Sequence, residues 1–541
     1  MEPFSAAFGL ARAAGPVIRS GALRPSSPAR LAKMGVAALR WDVTPAAALA
    51  VGARRFPHRV ALIDDDGAIT YRTLDDESTA LAKALASRGV DATSRVAILC
   101  RNHRGFLQAV VATGRIGADH ILMNTGLAGG QLTEVLREQR ADVLIVDADF
   151  SETAGLPGLK VVQAWAPSDA PRLGTNIPTI AELVASRSNT RLPFRPRVGR
   201  SIILTSGTTG TPKGAKRSAP RNPLAAAALL SRIPLRAGSI DLICAPVFHS
   251  WGFGALMSAV AMGSTAVLQR QFDPAAALHA IAKHRVDSLF VVPIMLGRIL
   301  QLPKDELEAA DTSTLRAIIA CGSAIPAPVV VGSLRRFGPT LYNIYGSTEV
   351  SFASIATPKE LAAHPTTSGR APFGTTLAIL GDDGRPVPSG TVGRVFVGNS
   401  MLFDGYTRAG ESKQVIDGLM DTGDLGRLDS NGLLFLAGRA DDMAVSGGEN
   451  VYPQEVERLI TELPGVREVA VIGVPDPEFG QRLVAFVVRS DSESDTPTEE
   501  SVKSAVKQSL ARFSVPREVH FIDALPRNPT GKVVPRLLRQ L

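Results

Sequence analysis

Short apolar runs rich in β-branched residues alternate with longer Ala/Leu-rich stretches through most of the chain. VALIDD (60–65) precedes TYRTLDDESTALAKALASRG, a pattern that predicts strand, turn and helix, with Thr73 as the helix N-cap. RVAILC (95–100), DVLIVD (142–147) and SLFVVP (288–293) are apolar runs flanked by helical patterns, which predicts parallel strands joined by crossover helices. From Leu242 to Gln269 no charged residue occurs, and the run is long enough to span a bilayer. Pro246, His249 and several Gly and Ser interrupt it and no second span follows, so a buried strand–helix–strand is expected.

The period changes between about 375 and 437, where short strands are separated by the turn signals DDG and SNG. This predicts a small antiparallel β region. Beyond GRADDM (438–443) the order helix, strand, strand, helix, strand predicts a compact α+β unit, with the polar run SDSESDTPTEES (490–501) as an exposed loop. The expected organisation is an arm over 1–44, a large domain over 45–437 with its β-rich subdomain at 375–437, and a small domain over 438–541.

Composition narrows the class. The 541 residues are 45% hydrophobic and 20% charged, enough for a sizeable core and against global disorder. Three cysteines, none in a C-x-x-C pair, exclude a disulfide scaffold and a structural zinc site, and fit a reducing, cytoplasmic compartment. The net charge of +8 is dispersed, which argues against nucleic acid and suits anionic small molecules. Residues 1–41 are the exception, with Arg12, Arg19, Arg24, Arg30, Lys33 and Arg40 against one acid, Glu2. They read either as an arm in peripheral contact with a membrane surface or as a poorly ordered tail.

The chemistry concentrates in ILTSGTTGTPKGAKR (203–217), directly after an apolar run. Glycines admit a polyphosphate close to the backbone, hydroxyls donate to its oxygens, and Lys213 supplies a charge. Thr205, Ser206, Gly207, Thr208, Thr209 and Gly210 are the candidate ligands. Pro212 and Gly214 flank the lysine, so this is not a Walker A loop. TSGTTGTPKG resembles the phosphate loop of the adenylate-forming superfamily: acyl-CoA synthetases, peptide-synthetase adenylation domains and beetle luciferases. YGSTEV (345–350), DTGDLGRLD (421–429), GRADDMAVSGGENVYPQEVE (438–457) and LPRNPTGKV (525–533) resemble its later motifs, in family order. The resemblance covers about 45–541.

It implies an α/β fold with a large N-terminal domain of mixed and parallel sheets, helices and a β-rich subdomain, followed by a small mobile α+β domain. Glu349 is the natural carboxylate for Mg²⁺ bridging phosphate oxygens, and Thr348 can bond a phosphate. Asp424 can accept from both ribose hydroxyls, or serve a turn beside the local Gly. The resemblance sets Tyr345 and Gly346 against the adenine, backbone of Gly322, Ser323 and Ala324 beside the base, and Arg439 near ribose or phosphate. Lys532 would bridge the two anions of the first step. Ser446, Gly447 and Gly448 would meet the pantetheine of CoA, and Asp441 would be the hinge; Ala444 stands where a larger β-branched residue is usual. Cys321, with no base partner in sequence, is not expected to be catalytic.

On the acyl side, FHSWGFGAL (248–256) resembles the pocket-lining segment. His249 and Trp251 are candidate gates, with a core histidine as the other reading of His249, and Gly252 and Gly254 would leave room beyond the carboxylate. The wall is apolar and no charged partner for an amino acid is evident, which favours a fatty acid. The expected reaction joins fatty acid, ATP and CoA into acyl-CoA, AMP and pyrophosphate. An acyl-AMP ligase loading a carrier protein and a non-catalytic ATP- and lipid-binding protein are the alternatives.

Overall fold

The computed structural model describes residues 15–22, 27–127, 129–153, 155–156, 158–167, 172–205, 213–217, 224–408, 410, 412–440, 444–446, 449–476, 480–490, 496–528 and 531–541. The chain divides into two units: residues up to Ile319 with Thr348–Ser351 and Ser400–Ser412, and Ala320–Ser347 with Phe352–Asn399 and Lys413–Leu541.

The first unit contains the predicted parallel strands. One sheet runs in the order Lys160–Trp165, Val143–Asp147, Arg95–Leu99, Asp119–Leu122, Ser201–Thr205 and Lys213–Arg217, and only its last strand is antiparallel to its neighbour. Leu99, Ile121, Leu144, Val146, Ile202 and Leu204 bury their side chains in one core, which is why these strands read as unbroken apolar runs. A second sheet orders Gly67–Thr70, Val60–Asp64, Thr265–Leu268, Ile240–Ile243 and Ser288–Val291, parallel apart from the first strand. The uncharged run folds as expected, with the helix Ser250–Ala261 between two of these strands. Among the described residues no helix is long and apolar enough to cross a membrane.

One expected cap is displaced. The helix after Val60–Asp64 spans Tyr71–Ala86, and its N-cap is Thr70, whose side chain accepts from the Thr73 amide. Tyr71 is fully buried and donates its hydroxyl to the Ser264 carbonyl at 2.7 Å, which draws the helix start three residues forward.

The second unit holds the antiparallel β region, built on Thr376–Leu380, Gly393–Gly398, Leu419–Leu428 and Leu434–Arg439. Gly384 and Gly432, in the DDG and SNG turns, take positive φ (74° and 76°), as hairpin glycines do. Its other sheet pairs Val466–Asp476 with Gly480–Arg489 along their length. The helices Pro453–Thr461 and Glu499–Ser509 pack Val456, Ile460, Val502 and Val506 into the core over that sheet.

Candidate active site

Two groups of predicted residues assemble, one in each unit. In the first, strands Ser201–Thr205 and Lys213–Arg217 form a hairpin with Thr205 registered opposite Lys213. The loop between them, with Ser206, Gly207, Thr208, Thr209 and Gly210, lies outside the described residues, as do Asp441, Gly447 and Gly448. Side chains alternate along a strand, so Lys213 and Arg217 share a face. That face meets Glu349. Tyr406 donates its hydroxyl to Glu349 Oε1 at 2.8 Å, and Lys213 Nζ lies 5.9 Å from the Tyr406 ring centre. Arg217 donates to Ser351 Oγ and to the Met401 carbonyl; desolvation lowers its pKa, opposed by the charges of Glu349 and Asp404. Thr348 Oγ1 is 3.4 Å from Ser250 Oγ.

Tyr406 and Arg217 escaped the sequence reading. Arg217 sits four residues after Lys213 on the same strand face, and Tyr406 stands beside a glycine in GYTR; those are their only local signals.

The second unit gathers Tyr345, Asp424, Arg439 and Lys532. Tyr345 ends the strand Leu341–Tyr345 and donates to Asp424 Oδ2 at 2.6 Å. Asp424 and Arg439 are cross-strand partners, with Arg439 Nε 3.7 Å from Asp424 Oδ1, too far for a hydrogen bond. That Nε is buried with no hydrogen-bond partner among the described residues, so the pair leaves both donor and acceptor capacity for a polar ligand. Burial raises the Asp424 pKa, while the Tyr345 hydroxyl and the charges of Arg439, Lys532 and Lys413 oppose the rise. The turn role expected as the alternative for Asp424 falls to Asp421. Asp421 accepts from the Gly423 amide at 3.0 Å, where Gly423 has φ 82°, and pairs with Arg394.

Lys532 sits in a tight loop, its amide donating to Asn528 Oδ1 at 2.9 Å and the Asn528 amide donating to its carbonyl at 2.8 Å. Its ammonium acts electrostatically on both Asp424 and Cys321. Burial outweighs that field at Cys321 and pushes its thiol up to about 12, so the sulfur is protonated at neutral pH, in keeping with a non-catalytic role. Gly322 takes φ 114°, which makes the bend into Ser323 and Ala324. Gly346 follows Tyr345 half-buried, and Ser446 ends the strand Ala444–Ser446.

On the acyl side the structure corrects one expectation. A Cβ on Gly252 would stand 2.2 Å from the Pro246 carbonyl oxygen, so this glycine lets the helix pack against backbone and opens onto no space. At Gly254 a Cβ would meet nothing within 4 Å. Trp251 donates its indole N–H to the Val291 carbonyl at 3.0 Å and packs against Phe290, bracing the strand Ser288–Val291. His249 is the helix N-cap residue, but its side chain makes no capping bond; its ring lies 5.1 Å from that of Phe248.

Among the described residues, one cluster has metal-ligand chemistry outside these groups: Cys100, His103 and Asp147, all buried. His103 Nδ1 accepts from the Gly105 amide and its Nε2 pairs with Asp147 Oδ1 at 2.8 Å, while Asp147 Oδ2 accepts from the Arg101 amide. Both histidine nitrogens are engaged in capping a helix and joining it to a strand, which is a structural role.

The model of the AMP-binding enzyme family matches residues 49–407, and that of the AMP-binding enzyme C-terminal domain matches 455–532. A feruloyl-CoA synthase of an Amycolatopsis species is 32% identical over 486 residues, covering 89% of this chain and 96% of its own. An indoleacetate–CoA ligase of Aromatoleum aromaticum is 33% identical over 496 residues, with 90% and 95% covered. The solved amide bond synthetase of Marinactinospora thermotolerans superposes with a TM-score of 0.78 at 27% identity, over 94% of this chain and 99% of its own.

Proposed function

Because this chain belongs to the AMP-binding enzyme family, within the adenylate-forming superfamily, we propose that it is an AMP-forming ligase: it activates a carboxylic acid with ATP and passes the acyl group from the adenylate to CoA. The observation that carries this reading is the Tyr345–Asp424–Arg439 group under the field of Lys532. A buried carboxylate beside an unbonded guanidinium N–H suits a ribose diol, and a nearby ammonium suits the union of two anions, carboxylate and α-phosphate. Activation makes chemical sense because a carboxylate resists nucleophiles whereas its mixed anhydride with AMP does not.

Lys213 and the hydroxyls of the loop before it bind and orient the polyphosphate in this reading. Glu349 and Thr348 are hard oxygen donors, the chemistry that Mg²⁺ requires, and Tyr406 orients the carboxylate from one side. The cation there would neutralise charge on the phosphate oxygens.

The acid is apolar in this reading, and the names of the relatives favour an aryl or arylalkanoic acid over a straight-chain fatty acid. The apolar wall expected from sequence suits a ring as well as a chain. Pyrophosphate release across a panel of cinnamic, arylacetic and fatty acids, with and without CoA, tests both levels. Release with none of the acids overturns the ligase reading; release favouring long fatty acids overturns only the aryl preference. Turnover with an amine in place of CoA would shift the acceptor towards amide formation.

A further inference from the structure

The helix Pro28–Trp41 is apolar on two sides. Ser27 caps it, accepting from the Arg30 amide, and Pro28 occupies its first turn. Ala37 and Trp41, four residues apart, are buried against the body of the first unit. On the opposite side Leu31, Gly35 and Leu39 recur at the same spacing, with Val36 alongside. Leu31, Val36 and Leu39 are 52%, 55% and 67% exposed, where a surface helix ordinarily carries polar residues. Phe194, 66% exposed, extends the patch. Arg195 Nε donates to the Leu39 carbonyl at 3.1 Å, and the Arg40 guanidinium lies 4.4 Å from the Trp41 ring and 5.5 Å from that of Phe194.

The charge around this patch is predominantly positive, with the exposed Asp42 at the helix C-cap as an acid against it. Residues 15–22 and 27–41 contain Arg19, Arg30, Lys33 and Arg40 and no acid, and Arg191 and Arg195 flank Phe194. We propose that this face docks on an anionic bilayer, with the helix in the plane of the interface, Leu31, Val36, Leu39 and Phe194 among the acyl chains, and the cations at the lipid phosphates. A second copy of the chain would bring cations against cations, and a neutral apolar partner would leave them unanswered. An anionic lipid surface offers apolar depth and negative charge together. At 1.5 Å per residue the 14-residue helix is about 21 Å long, too short to span and suited to lying flat.

Flotation of the full chain with phosphatidylcholine vesicles, with and without about a quarter phosphatidylglycerol, tests this. Binding to the anionic vesicles is expected to exceed that to neutral ones by about tenfold and to weaken in ~0.5 M salt. Leu31→Glu/Leu39→Glu, and separately Phe194→Glu, should lower vesicle partition at least about tenfold with unchanged thermal midpoints, because both replace exposed side chains. Failure of the wild type to float overturns the proposal. So does equal flotation of both variants, which would place binding elsewhere in the chain. A wild type that sediments as a dimer without lipid, with monomeric variants, would make this face a self-contact and also overturn it.

Discussion

Asp424 illustrates a residue whose burial works against its ionised form. Desolvation raises its carboxyl pKa, and the Tyr345 hydroxyl and nearby cations oppose the rise without cancelling it. A carboxyl raised in the folded state lends stability that is present below the ordinary carboxylate pKa and lost as pH climbs through the folded value. Asp424→Asn is therefore expected to keep or raise the thermal midpoint at neutral pH. The same change should cut ATP-dependent pyrophosphate release by about 10–100-fold, because an amide oxygen replaces two charged acceptors. A lowered midpoint with unchanged turnover would make the carboxylate structural. Lys532 lies in the same field with the opposite charge. Lys532→Ala should reduce adenylate formation by about 10²–10³-fold while a supplied acyl-adenylate is still converted to thioester, since only the first step joins two anions. Equal losses in both half-reactions would sink that assignment.

At the scale of the element, the helix Ser250–Ala261 separates two glycines that look alike in sequence. Gly252→Ala drives a methyl group into the Pro246 carbonyl and is expected to cost about 3 kcal/mol in urea unfolding, whereas Gly254→Ala, at an exposed position within the helix, should raise stability by about 0.5–1 kcal/mol. Similar midpoints for the two would refute the close approach. The elements themselves were legible because strands buried on both faces give unbroken apolar runs, and the turn glycines of the β region announce their positive φ. What escaped was set by contacts distant in sequence. Tyr406 reaches Glu349 across 57 residues, the choice between Asp421 and Asp424 depends on strand register, and the Thr70 cap follows from the burial of Tyr71 beneath residues some 190 positions away. The cationic, apolar surface was legible only in part. The basic arm is plain in the sequence, but its junction with Phe194 needs the fold.

For the molecule as a whole, Asp241 couples stability to pH. It lies in the strand Ile240–Ile243, between the neighbouring parallel strands Thr265–Leu268 and Ser288–Val291. Desolvation pushes its carboxyl up to about 7 and Asp287 adds to the rise, against hydrogen bonds from Ser239, Ser288 and Ser264. Unfolding returns the group to water, where it ionises near its ordinary value of 3.8. Between those two values the folded chain holds a proton that the unfolded chain has released, so stability falls as pH rises through the window from about 4 to about 7. An amide keeps the serine contacts and carries no charge. Asp241→Asn should therefore be more stable than wild type at about pH 8, by on the order of 2–4 kcal/mol at 1.36 kcal/mol per pH unit, with the gap closing towards about pH 4. Urea unfolding of both proteins across that range measures the difference directly. If the wild type instead gains on the variant as pH rises, Asp241 is ionised in the fold and held by a positive partner, and the assigned sign of the coupling is wrong.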